Sequence, residues 1–208
     1  MSKFLNLDNV LCFSPHPDDV EYGMLGNILK HKDTNFDILV FSCGGDFDKS
    51  SSDERYQECK NIWDEIENLE GFTLPIKHLK NLCEDELVNI TEKFIDEQDK
   101  KYDCILCPPS IDSHFEHRLV NQISSAIVRR SKCGVINYKT PSTLEDWIPN
   151  TYVEINLETK SKYLEYFKSQ TNKSFFNKGP LKAFHTDYGC LKRDIECVEM
   201  YKIIKLYN

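Results

Sequence analysis

The chain has 208 residues, a formal net charge of −8 at pH 7, and 40% hydrophobic and 12% aromatic residues. That is enough apolar content for one folded domain spanning 1–208 and too much for a disordered chain. The acidic balance and the lack of a basic stripe exclude a nucleic-acid backbone as the natural partner, and no apolar run approaches the roughly 20 residues of a membrane span. The opening Met-Ser-Lys-Phe-Leu-Asn-Leu-Asp lacks a signal peptide's apolar core and cleavage site, so a cytoplasmic location is expected. Nine cysteines, an odd number spread along the chain, read as small buried hydrophobes in a reducing compartment. Cys104-x-x-Cys107 lies inside an apolar run, with no second Cys pair at zinc-finger spacing.

In chain order, Val10–Phe13 predicts a short buried strand, and Val20–Lys32 a helix with Tyr22, Leu25, Ile28 and Leu29 at helical spacing. Phe36–Cys43 predicts a second strand, ended by Gly44-Gly45, and Asp46–Ser52 a polar loop. Asp53–Glu70 follows as an amphipathic helix, Pro75–Leu79 as a weaker third strand, and Glu84–Gln98 as another helix. Tyr102–Cys107 is the fourth strand, His114–Arg130 a helix and Gly134–Tyr138 the fifth strand. This alternation implies a mostly parallel α/β sheet with helices on both faces. Further on, Thr151–Asn156 alternates as a strand, while Leu157–Gln170 and Cys190–Ile204 have helical spacing. Asn172–Tyr188 reads as a long ordered loop near the site.

The chemistry gathers at the ends of two strands. After the first comes Pro15-His-Pro-Asp-Asp-Val-Glu21, where two prolines forbid a strand ladder and a helix interior. His16, Asp18 and Asp19 therefore sit on a stiff turn, with the composition of a metal site. In an extended backbone Asp18 and Asp19 face opposite ways, so one binds an ion and the other handles protons beside it. A helix cap explains one aspartate but not the cluster. After the fourth strand come Asp112, His114, Glu116 and His117, the two histidines near one face of a first helical turn. In a doubly wound sheet the first and fourth strands often neighbour each other and leave a crevice at their carboxyl ends.

Imidazole and carboxylate suit Zn²⁺ better than Mg²⁺, and Fe²⁺ can use the same donors. We assign His16, Asp19 and His117 as ligands and Asp18 as the base that takes a proton from water and returns it to a leaving amine. His114, oriented by Glu116 or Asp112, donates to an oxyanion. These parts fit hydrolysis of an amide or ester. The chain has no nucleophilic serine in a glycine-flanked elbow and no phosphate-cradling glycine loop.

The Pro15–Glu21 motif, paired with Asp112-x-His114-x-Glu-His117, resembles the signature of the LmbE/PIG-L family of zinc-dependent N-deacetylases. Tyr138-Lys-Thr-Pro-Ser142, Pro149-Asn150, the Lys160 region, Ser169-Gln170, Gly189 and Glu199 are similar to later landmarks. The resemblance implies a Rossmann-like three-layer sandwich and removal of acetyl from an N-acetylated amino sugar, free or linked to a nucleotide, lipid or glycoside. It also implies zinc on His16, Asp19 and His117, Asp18 as general base and His114 as electrostatic stabiliser. Arg55, after the Gly44-Gly45-Asp46 loop, resembles an arginine that holds sugar hydroxyls; the plainer alternative is a solvated charge on a helix face.

The chain departs from the family pattern at Phe115-Glu116, Lys139 and Tyr188, which leaves the metal ligands and base untouched and bears on substrate recognition; Arg55, Asp46, Asp112, Lys139 and Tyr188 are the expected substrate contacts. A non-sugar amide is the alternative substrate, and a metal-bearing sugar-binding protein without turnover the alternative class. The oligomeric state stays open, a homo-oligomer included.

Overall fold

The structure is a computed structural model that describes residues 2–43, 52–129 and 132–207. Strands β1 (Asn9–Ser14), β2 (Asn35–Val40), β3 (Leu69–Thr73), β4 (Cys104–Cys107) and β5 (Gly134–Tyr138) run parallel. At the far edge β7 (Val198–Lys205) pairs antiparallel with both β5 and β6 (Thr151–Glu154). The sheet order is β3-β2-β1-β4-β5-β7-β6. The helices are α1 (Asp19–Lys30), α2 (Ser52–Trp63), α3 (Glu84–Asp96), α4 (Phe115–Val128), α5 (Leu157–Leu164), α6 (Lys178–Phe184) and α7 (Tyr188–Leu191). This is the mostly parallel α/β sandwich that the alternation implies.

Both faces of the sheet are covered, which is why its central strands are apolar without a polar side. Along β1, Val10 and Cys12 face one core with α1 and α2, while Leu11 and Phe13 face another with α3 and α4. The nine cysteines form no disulfide, and Cys104 and Cys107 are buried. No helix among the described residues is long and apolar enough to cross a membrane.

Several elements differ from the periodicity. Helix α2 ends at Trp63, and the third strand is Leu69–Thr73, not Pro75–Leu79. The Asn68 side chain donates to the carbonyls of Ile28, His31 and Thr34, fixing the turn into the strand. Gly71 lets β3 pass beneath Trp63, since a Cβ there would lie 1.9 Å from the indole. The Cys190–Ile204 stretch is not a helix but α7, a left-handed residue at Asp194 (φ 60°) and then β7. Val198 to Tyr201 are buried without interruption in the slot between β5 and β6, and that tertiary setting outweighs helical spacing. Finally, α5 stops at Leu164, and the 172–188 stretch holds a 3-10 turn, Ser174–Phe176, and the whole of α6. Of the polar loop predicted from Asp46, only Ser52 is described, as the first residue of α2; Asp46 lies outside the described residues.

A buried ion pair ties the antiparallel edge to α1. Lys160 Nζ donates to Glu199 Oε1 at 2.6 Å and to the Tyr22 carbonyl at 2.5 Å. Glu199 also accepts from the Gly26 and Asn27 amides, each at 2.7 Å, and from the Tyr201 hydroxyl at 3.0 Å. Both charged side chains are fully buried. Lys160→Met should therefore cost about 3–5 kcal/mol, because it strands a carboxylate in the core. Urea unfolding of wild type and variant measures it, and a loss under about 1 kcal/mol would show that Glu199 needs no counter-charge.

Candidate active site

Strand β1 ends at Ser14, and its parallel ladder with β2 continues for two more bonds, Phe41 N to Ser14 O at 2.8 Å and Ser42 N to Pro15 O at 3.1 Å. The chain then turns sharply at Asp18, whose φ of 98° and ψ of −25° lie in left-handed space. For a residue with a Cβ such a conformation costs about 1–3 kcal/mol and is typical of a functional turn. Asp19 opens α1, and its Oδ2 accepts from the His16 amide at 3.0 Å. Through this left-handed turn, not an extended backbone, the two carboxylates meet different partners: Asp19 Oδ2 the rings of His16 and His117, Asp18 Oδ2 the cations of Lys173 and Arg55.

Strand β4 lies beside β1, as the crevice requires, with Cys12 opposite Leu106. The loop after β4 carries Asp112 and His114, and His114 caps α4, whose first turn holds Glu116 and His117. Asp19 Oδ2 lies 3.3 Å from His16 Nδ1 and 3.2 Å from His117 Nε2. A tetrahedral ion with bonds of about 2.0–2.1 Å spaces its donors roughly 3.3 Å apart. The two separations from Asp19 Oδ2 match that spacing. His16, His114 and His117 also offer ring nitrogens within 4.8 Å of one another, so His114 borders the same cluster.

Behind each predicted histidine ligand stands a carboxylate on the opposite ring nitrogen. Glu116 Oε2 lies 2.5 Å from His16 Nε2, and Asp112 Oδ2 lies 3.1 Å from His117 Nδ1. Asp112 is fixed in turn by the Thr140 hydroxyl at 2.6 Å. Carboxylate–histidine pairs of this kind orient metal ligands and raise their basicity. The Glu116 carboxylate therefore holds His16, while only its backbone amide reaches His114; Asp112 is a buried brace for His117 whose Oδ1 also accepts from the His114 amide at 2.8 Å.

The electrostatics separate the two aspartates. Burial raises the pKa of Asp18, with Lys173 and Arg55 opposing and Asp19 reinforcing the rise. Burial would raise Asp19 as well, but His117 and His16 hold it well below the carboxylate range. Burial alone would lower His117, yet Asp19 and Asp112 outweigh it and push it up to about 10. His114 is lowered, first by burial and then by the neighbouring His117 and His16, which favours the neutral ring. Its Nδ1 accepts from the Glu116 amide at 3.3 Å, so the ring hydrogen sits on Nε2.

These groups line a cavity of about 420 Å³. Arg55 lines it too and is buried, not a solvated helix-face charge. Its guanidinium donates to Pro17 O at 3.1 Å and Cys43 O at 3.3 Å, and lies 3.9 Å from Asp18 Oδ2. Lys139 and Tyr188, expected to meet substrate, do not reach this cavity. Strand alternation sends Lys139 to Phe184, whose ring lies 4.7 Å below its ammonium, and Tyr188 is 73% exposed beneath Lys192. In their place the wall includes Lys80, His78, Lys173 and Phe175, none singled out by sequence reasoning, and Ser142, named there only within a family landmark. The only hints were the 172–188 segment, which delivers Lys173 and Phe175, and the Tyr138–Ser142 landmark, whose Ser142 hydroxyl lies 3.1 Å from His117 Nδ1.

Together these features define a class: an α/β protein with a histidine–carboxylate cluster of metal-site composition at the switch point of a parallel sheet. The family described as PIG-L: GlcNAc-PI de-N-acetylase matches residues 11–128, more than half of the chain, and the chain belongs to that family. A comparison with curated proteins finds no significant match. Among solved structures, the N,N'-diacetylchitobiose deacetylase from Pyrococcus horikoshii superposes with a TM-score of 0.75 at 20% identity, covering 97% of this chain and 85% of that one. An A40926 pseudoaglycone deacetylase gives 0.72 at 12% identity, covering 96% and 98%. The zinc-inhibited form of a teicoplanin deacetylase gives 0.70 at 11%, covering 93% and 96%. At these identities the likeness is one of fold.

Asp19 and Asp112 stabilise the protonated form of His117. A group whose folded pKa is raised from 6.5 to about 10 stabilises the protein fully below about pH 6.5, and that contribution fades as pH rises toward 10. Metal-free protein should therefore lose stability across that window, and His117→Gln should flatten the slope. Urea midpoints taken in a pH series measure both; an equal slope in the variant would assign it to another group.

Proposed function

We propose that the chain removes the acetyl group from the amine of an N-acetylated amino sugar by metal-assisted hydrolysis. The observation that carries this reading is the Asp19 oxygen placed 3.3 and 3.2 Å from one nitrogen of each of two histidines, with a second, separate carboxylate beside it. His16, Asp19 and His117 would hold a divalent cation, zinc or ferrous iron. Such an ion, when bound, polarises the amide carbonyl and makes water acidic enough to attack near neutral pH.

The remaining steps belong to the chain. Asp18 accepts the proton of the attacking water and passes it to the departing amine, and its raised pKa suits that two-way traffic. Lys173, 3.5 Å away, and Arg55 keep its charged form accessible in a buried setting. Arg55 also bonds the Pro17 carbonyl, so it fixes the peptide that precedes the base. His114, neutral with its hydrogen on Nε2, donates to the oxyanion of the tetrahedral intermediate. Phe175 offers an apolar wall for the face of the sugar ring. Family membership favours an acetamido sugar over other amides.

The test is acetate release from a panel of acetamido sugars by protein stripped of metal and reloaded to one equivalent. Excess metal is avoided because one structural neighbour has a zinc-inhibited form. Asp18→Asn should lower kcat by about 10²–10⁴-fold with metal content unchanged, and His114→Ala by about 10²–10³-fold. Wild-type turnover by Asp18→Asn would reject this mechanism, and activity in the stripped protein would reject the metal.

A further inference from the structure

Two cations reach the Asp18 carboxylate from remote parts of the chain: Lys173 at 3.5 Å, from just before the turn Ser174–Phe176, and Arg55 at 3.9 Å, from α2. One side chain links those two parts. Glu58 follows Arg55 by three residues on α2, and its buried carboxylate accepts from both the amide (2.7 Å) and the hydroxyl (2.6 Å) of Ser169. A carboxylate taken out of water is costly unless it is bonded, and here both oxygens go to one serine, four residues before Lys173. The Ser169 hydroxyl in turn accepts from the Gln170 side chain at 2.8 Å, and Gln170 is itself buried. From there the backbone leaves little slack. Lys173 N donates to Gln170 O at 2.9 Å and Phe176 N to Lys173 O at 3.1 Å, so successive 3-10 turns carry the fixed point at Ser169 on to the lysine. Beyond Lys173 the Tyr22 hydroxyl donates to the Phe175 carbonyl at 2.9 Å. Lys173 thus lies between two anchors, one on α2 and one on α1. Neither Glu58 nor Ser169 lines the cavity; their influence on it passes through Lys173.

We propose that Glu58 and Ser169 are positioning residues for deacetylation: their double contact sets where the Lys173 ammonium stands against the Asp18 base. The proposal rests on the deacetylase reading above. When the Glu58–Ser169 contact is loosened, the downstream anchor persists, so the turn pivots about the Phe175 carbonyl. The ammonium then shifts while the Phe175 wall stays. A shift of about 1 Å in a group beside the reacting atoms can cost up to roughly 10²-fold in rate, whereas a wall left in place keeps substrate binding. Loss of the clamp is therefore read in kcat and not in KM.

The experiment measures kcat and KM, in protein reloaded to one metal equivalent, on the acetamido sugar of the panel above that wild type turns over fastest. Ser169→Ala removes one of the two bonds, Glu58→Gln replaces one acceptor oxygen by a donor, and Ser169→Thr keeps the hydroxyl. The first two should lower kcat about tenfold with KM within about twofold, and Ser169→Thr should keep the wild-type kcat. In a Lys173→Met background Ser169→Ala should lower kcat no further, because two changes acting through one contact do not add. An unchanged kcat in Ser169→Ala, additivity with Lys173→Met, a loss confined to KM, or an equal loss in Ser169→Thr overturns the clamp. Each of these results leaves the deacetylase reading standing. If wild type turns over no sugar of the panel, that reading fails, and crystal structures of wild type and Ser169→Ala decide the clamp by the Lys173–Asp18 separation. A wider separation in the variant supports it, and an unchanged one overturns it. Ser169 is half-buried and the substitution deletes one oxygen, so the variant is expected to fold, and its melting curve checks this.

Discussion

A single carboxylate oxygen, Asp19 Oδ2, within 3.3 Å of nitrogens from two histidines 101 positions apart, is the contact on which the site depends. It exists only because β1 and β4 are adjacent and parallel, so that the loops leaving their carboxyl ends open on the same side of the sheet. Strand order makes that position a crevice: β1 leads by α1 to β2 on one flank, while β4 leads by α4 to β5 on the other. Asp19 and His117 each stand in the first turn of one of these helices, so helix starts aim both side chains into the gap.

That contact has support on every side. Each histidine has a carboxylate on its far nitrogen, Glu116 from α4 for His16 and Asp112 from the preceding loop for His117. The bracing therefore crosses between the two halves, because α4 supplies the partner of a residue after β1. The left-handed backbone of Asp18 accomplishes the other half of the design. It lets consecutive aspartates occupy different environments, one between histidines and lowered, the other buried beside Lys173 and Arg55 and raised. Divergent pKa values on neighbouring carboxylates are what a site needs if one is to stay ionised and the other to exchange protons.

The central strands were legible because burial on both faces makes them short continuous apolar runs bounded by proline and glycine, and the site lay where two such runs end. Three things were hidden. The β3 strand, Leu-Glu-Gly-Phe-Thr, is half-buried and has no clean alternation; only the packing of Gly71 under Trp63 defines it. The β7 strand carries apolar residues at a spacing that a helix satisfies equally well, and nothing local reveals the slot between β5 and β6. Lys139 is a substitution within a family landmark, and that drew it into the substrate side. Strand alternation decides otherwise: Tyr138 reaches back to bond the Phe13 carbonyl, Lys139 turns to α6, and Thr140 returns to Asp112.

The Lys173 and Phe175 wall of the cavity depends on contacts that no short window of sequence contains. Lys173 and Phe175 belong to a stretch with no period, yet it is not loosely held. The Tyr22 hydroxyl bonds the Phe175 carbonyl, and Tyr22 packs edge-on to Phe175, Phe176 and Phe184. Upstream, the Glu58 carboxylate accepts from the amide and hydroxyl of Ser169 at 2.7 and 2.6 Å, tying the same connection to α2. Tyr22 lies one turn beyond Asp19 on α1, and Lys160 bonds its carbonyl from the buried pair with Glu199. One helix thus holds the predicted metal ligand at its start and anchors the aromatic and cationic wall from its next turn. The ligand-type cluster and the Lys173–Phe175 wall are both referred to α1, so the part of the chain least regular in sequence is registered against one of its most regular elements.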